Sequence, residues 1–127
     1  MYKRTQVSSD RDYIRFLILA AGAGFVIMAG TILYAVLHGN FRTEGALLLE
    51  MSWGLVSLVD IYLGLLIFSF WVLWREQFSI AALVWVFLII SLGNMVSCVY
   101  ILRACLLADG DMLKFWHGNQ SRQEVLS

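Results

Sequence analysis

One acid, Asp60, stands inside a long apolar run from Trp53 to Trp74. A carboxyl group there has three uses. It can take and release a proton, hold a cation, or bond a polar group on another helix. An aspartate at the centre of a membrane-spanning helix costs about 2.5–3.5 kcal/mol on insertion-derived scales, and intramembrane ionisable residues are functional by default. No Lys, Arg or His lies at comparable depth in any apolar run of the chain. A partner for Asp60 must therefore be polar and uncharged, or come from elsewhere.

Counting from the turn Arg75-Glu76-Gln77-Phe78-Ser79 supplies that partner. Asp60 and Asn94 are equidistant in sequence from Gln77, so in an antiparallel helix pair they share a depth. Ser57, Asp60 and Gly64 fall on one face of the first helix of such a pair, and Ser91, Asn94 and Cys98 on one face of the second. Thr31 of the preceding apolar run falls within about one turn of the same depth. Asp60, Asn94, Ser57, Ser91 and Thr31 thus form a candidate intramembrane polar site. For Asn94, Ser91 and Thr31 the expected role is structural, as interhelical bonds contributing about 0.6–2 kcal/mol each. For Asp60 a structural role and a proton- or ion-binding role both stay open.

Other constellations do not assemble. Cys98 and Cys105 are two helical turns apart, beyond disulfide reach, and are expected to pack as small apolar residues. His38 and His117 are expected on the same side of a membrane as interfacial residues, too few for a metal or haem site. The sequence contains no phosphate-binding glycine loop, no HExxH and no GxSxG. No catalytic residue, metal site or cofactor is predicted. Arg75 and Glu76 read as a solvated pair that stops a helix.

The elements that carry these residues follow from composition. Hydrophobic residues make up 61% and charged residues 14%, against about 45–50% and 25% in soluble domains. Too little polar surface is available to cover a soluble fold. The nine basic and nine acidic residues cancel, which gives no pointer to nucleic acid. The reading is all-α: one integral membrane domain over 1–127 with three transmembrane helices, at about 16–37, 53–74 and 80–102. Trp53, Trp71 and Trp74 mark interfacial belts. The short turn makes the second and third spans a tight antiparallel hairpin. A polar lead-in, 1–15, precedes the first span, with a helix start near Asp10 from the weak capping pattern Ser9–Asp12. Gly39, Asn40 and Gly45 break the helix before an interfacial stretch from Ala46. Arg103 snorkels from the end of the third span. The tail, 109–127, is interfacial and polar. Ala20 and Gly24 form a small-residue pair suited to packing within the chain.

Three spans put the termini on opposite sides. Lys3, Arg4, Arg11, Arg15 and Arg75 then face Arg42, Arg103, Lys114 and Arg122, and the positive-inside rule favours a cytoplasmic N-terminus. The expected location is the cell (inner) membrane, multi-pass.

From Trp53 to Leu102 the chain resembles a family of small uncharacterised membrane proteins, best represented in plants and known as a domain of unknown function. The likeness is carried by Trp53, Leu58-Val59-Asp60-Ile61-Tyr62, Trp71-Val72, Arg75-Glu76, Trp85, Gly93 and Cys98-Val99-Tyr100-Ile101. Asn94 departs from the pattern, in which a smaller serine-like residue follows the glycine. The resemblance implies a helical membrane fold and brings no activity.

Three function classes follow: a non-catalytic accessory or assembly component of a membrane complex, an oligomeric proton or ion conduit using Asp60, and a membrane enzyme. The first ranks highest and the third lowest, since one acid with no second group makes a thin catalytic site. The expected partners are the lipid bilayer and other membrane subunits or further copies of the chain.

Overall fold

The structure is a computed structural model and describes residues 2–118, with side chains from Ser8 onward. It is helical, with no strand among the described residues. In order, the helices are α1 (Tyr2–His38), α2 (Phe41–Glu50), α3 (Ser52–Arg75), α4 (Ile80–Leu92), α5 (Asn94–Ala108) and α6 (Met112–His117). Two segments, Ser8–His38 of α1 and Ser52–Arg75, are long and apolar enough to cross a membrane by length and composition; α4 and α5 are shorter apolar helices.

The first helix starts well before Asp10, at Tyr2, because no residue in the lead-in breaks a helix. The connection after it is also largely helical. Asn40 opens α2, its backbone N–H donating to Glu44 Oε1 at 3.2 Å. Gly54 lets the end of α2 lie on the start of α3, since a Cβ there would stand 2.2 Å from the Leu48 carbonyl oxygen.

The largest departure is in the third apolar run. A single helix over 80–102 is expected, but the chain breaks at Gly93, with φ 68° and ψ −146°. This region is essentially open only to glycine. Beyond the break α5 folds back along α4. The Tyr100 and Trp85 ring centroids are 5.2 Å apart, and the Arg103 guanidinium lies 5.7 Å from the centroid of Trp85. The end of α5 thereby returns to the level of the α3–α4 turn.

α5 is the hub of the core. Its far end packs on the start of α1 in a cluster of Ile14, Ala104, Cys105, Ala108 and Phe115. A second cluster joins Leu65 and Val72 of α3, Ile89 of α4, and Val96 and Tyr100 of α5. Helices α1 and α5 run antiparallel: Arg11 lies against Gly110 and Gly24 against Cys98. The small-residue face of α1 thus packs within the chain at Ala21 and Gly24, while Ala20 is exposed.

The molecule therefore has two unlike ends. At the clasped end meet the N-terminal part of α1, the α3–α4 turn, the end of α5 and α6. At the open end lie the C-terminal half of α1, α2 and the first half of α3. The start of α1 and the end of the described chain are together, whereas three straight spans would set them apart. His38 and His117 fall at opposite ends for the same reason: His38 stacks on Tyr34 at 4.8 Å, and His117 lies 5.5 Å from Trp74.

Candidate functional site

The densest polar arrangement is at the clasped end. Arg75 closes α3 and is 3% exposed. Its Nε donates to the Phe115 carbonyl oxygen at 2.8 Å. One guanidinium nitrogen donates both to Glu76 Oε1 at 3.0 Å and to the Tyr100 hydroxyl at 3.1 Å. The Tyr100 hydroxyl in turn donates to Glu76 Oε1 at 3.0 Å, and Arg103 donates to the same oxygen at 3.0 Å. One carboxylate oxygen thus gathers two guanidinium groups and a phenol from α3, the turn and α5. The expected solvated pair is buried, and Arg103 pairs with Glu76 instead of merely extending outward.

Local sequence explains how the clasp is reached. Arg75 and Glu76 lie where α3 unwinds. Gln77 and Phe78 then take positive φ values, 54° and 53°, and the Ser79 hydroxyl caps α4 by accepting from Ala82 N at 3.3 Å. Tyr100 and Arg103 are three apart on α5 and share a face. Gly118 gives the Arg75 stem room: a Cβ there would stand 2.9 Å from Arg75 Cγ. An aromatic collar surrounds the clasp, with Trp71 5.9 Å from Tyr100 and 5.7 Å from Phe115.

Chemically the clasp is a set of mutual charge-assisted bonds centred on Glu76 Oε1. Each hydrogen bond to a charged group contributes about 1.5–3 kcal/mol, and an uncompensated buried charge costs more than that. Beside it runs an apolar groove of about 490 Å³ between α1, α3 and α6, walled by Phe16, Leu17, Phe68, Trp71, Ile101 and Trp116 among others. Three buried polar atoms in the region, Ser69 Oγ, Trp71 Nε1 and Ser97 Oγ, have no hydrogen-bond partner.

The residues singled out in the sequence lie elsewhere. Asp60 and Ser57 are exposed on the open-end half of α3, and Ser91 and Asn94 are exposed on either side of the Gly93 break. Thr31 is exposed on α1 and donates to its own helix at Ile27 O, 2.8 Å. Ser57 does the same to Trp53 O at 3.0 Å. No hydrogen bond joins Asp60 to Asn94, and among the described residues nothing donates to the Asp60 carboxylate. No group of three or more His, Cys, Asp or Glu among the described residues is placed to hold a metal ion. Cys98 and Cys105 are free, with Cys105 buried in the core.

An all-helical chain with two helices able to cross a membrane and one internal charged clasp defines the class. The chain belongs to the family of proteins of unknown function DUF1475, whose model matches residues 8–109. That match takes in all of α3, α4 and α5 and most of α1. No curated protein and no solved structure matches the chain.

Proposed function

We propose that this protein is a non-catalytic accessory or assembly component of a membrane complex. In this reading α1 and α3 are its two full spans. At 31 and 24 residues, the two segments rise about 46 and 36 Å, enough for a hydrocarbon core of about 30 Å. The third expected span is replaced by a re-entrant hairpin. Helix α4 has 13 residues and rises about 20 Å, a length typical of re-entrant segments. It enters from the clasped end, turns at Gly93, and returns as α5. The amphipathic stretch of α2 then lies at the opposite surface.

Charge supports this arrangement. Among the described residues, Lys3, Arg4, Arg11, Arg15, Arg75, Arg103 and Lys114 all belong to the clasped end, and Arg42 alone to the open end. The three-span layout divides the same eight residues five to three. Positive-inside orientation puts the clasped end, with the N-terminus, in the cytoplasm.

The observation that carries the assembly reading is Asp60. The ionisable groups of the clasp pair with one another. Asp60 is the reverse case, an acid on an exposed apolar helix face with no donor among the described residues. A carboxyl so placed is costly in lipid unless another subunit covers it.

The test is the native mass in mild detergent. A wild-type particle above monomer mass is expected, falling to monomer with Asp60→Leu. A monomeric wild type in membranes extracted without loss of partners would overturn the reading. If the assembly contains only copies of this chain, and Asp60→Asn keeps it assembled but inactive, the ion-conduit alternative takes its place.

A further inference from the structure

We infer that the open-end half of α3, centred on Asp60, docks a transmembrane helix of a different protein, one that carries a lysine or arginine near its middle. The inference rests on the reading of α1 and α3 as membrane spans and names the chemistry of the subunit that reading calls for.

The geometry leaves this face open for a definite reason. The α4–α5 hairpin is about 20 Å deep, whereas α3 is about 36 Å long. The hairpin therefore supports only the clasped half of α3, where Leu65, Ser69 and Val72 are buried. Toward the open end Val56, Val59 and Leu63 are exposed by 55–65%. Asp60 shares a shallow concavity with Leu55, Val56, Val59 and Leu63. It is about 12 Å along the helix from Ser52, so a span that threads the bilayer carries it well below the headgroups.

The occupant's chemistry follows from charge. The hydroxyl one turn away on the same helix is already committed, Ser57 to Trp53 O. In a medium of low dielectric the complement to a carboxylate is a cation, and ionisable residues in spans pair with one another. A second copy of this chain offers none at that depth. Arg42 follows α1 at the open surface, while Arg75 and Arg103 are both bonded to Glu76 at the other end. The cation must come from another protein. The surface also admits a helix closely. Ser57 and Gly64 flank Asp60 by about one turn on each side, and a Cβ at Gly64 would meet no atom within 4 Å. Small residues at such positions let backbones approach in lipid.

The experiment uses the full chain, donor-labelled and reconstituted in phosphatidylcholine vesicles. The probes are acceptor-labelled synthetic leucine–alanine helices of span length, with either one central lysine or leucine at that place. Energy transfer should show the lysine helix associating roughly tenfold more strongly than the leucine helix. Asp60→Leu should abolish the preference. Equal association of the two helices, or a lysine preference that survives Asp60→Leu, would overturn the inference. So would transfer between two labelled copies that Asp60→Leu removes, since that makes the occupant a second copy. Vesicle flotation after alkaline extraction separates the two levels. A chain that does not stay inserted removes the membrane reading itself. One that stays inserted but ignores the lysine removes only the docking inference.

Discussion

Glu76 accepts three hydrogen bonds on one oxygen, two of them from guanidinium groups. Its charge therefore matters more than its shape. Glu76→Gln keeps the size but leaves the buried Arg75 cation uncompensated, and should cost about 3–5 kcal/mol. Tyr100→Phe removes one hydroxyl that bonds both Arg75 and Glu76 and should cost about 1.5–3 kcal/mol. Thermal unfolding in detergent, followed by tryptophan fluorescence, ranks the two. Equal losses would mean that the ion pairs contribute nothing beyond an ordinary hydrogen bond. The Arg75–Glu76 pair was legible locally; its burial was not, because the other partners of Glu76, Tyr100 and Arg103, are far along the chain. Asp60 was legible, since an acid in an apolar run needs no partner to be noticed. Its neighbours were not, because a depth count assumes a straight third helix.

At the scale of elements, the helices were legible as apolar runs and their paths were not. Ile80 to Leu92 and Asn94 to Ala108 are apolar on both sides of Gly93, so hydropathy gives no sign of a break. A lone glycine in a span usually marks close packing, and only its backbone angles reveal a turn. Gly93→Val should destabilise the fold by about 1–3 kcal/mol, from strain at positive φ alone, and thermal unfolding reads it. Two glycines of α1 make a matched pair. At Gly24 an added Cβ would stand 3.1 Å from Cys98 Sγ, whereas at Gly30 it would meet nothing within 4 Å. Gly24→Val should therefore push α1 off α5 and lower the melting temperature by several degrees, while Gly30→Val leaves it nearly unchanged. Similar shifts for both would show that α1 does not rest on α5 through this face.

For the whole molecule, the decisive measurement is sidedness. Single cysteines replacing Ser8, Arg42 and Lys114, in a background lacking Cys98 and Cys105, report it by labelling with an impermeant reagent. Ser8 and Lys114 should react from the same side and Arg42 from the opposite one. Reaction of Ser8 and Lys114 from opposite sides would restore three straight spans and remove the re-entrant hairpin. Composition made the all-helical class and the scarcity of polar surface plain. It could not say that Ile14 and Phe115 pack in one cluster, because that depends on one backbone turn.

The pairing of α1 with α5 also sets an order of events in time. The first helix to leave the ribosome finds its partner almost last, after α2, α3 and α4 have been made. At roughly 5–20 residues per second, α1 waits several seconds with its small-residue face uncovered. In the finished fold that face is covered by α5, with Gly24 against Cys98. Assembly of the core is consequently a late step, completed when Tyr100 and Arg103 reach Glu76. Until then α1 and α3 lack the α5 surface on which both of them pack.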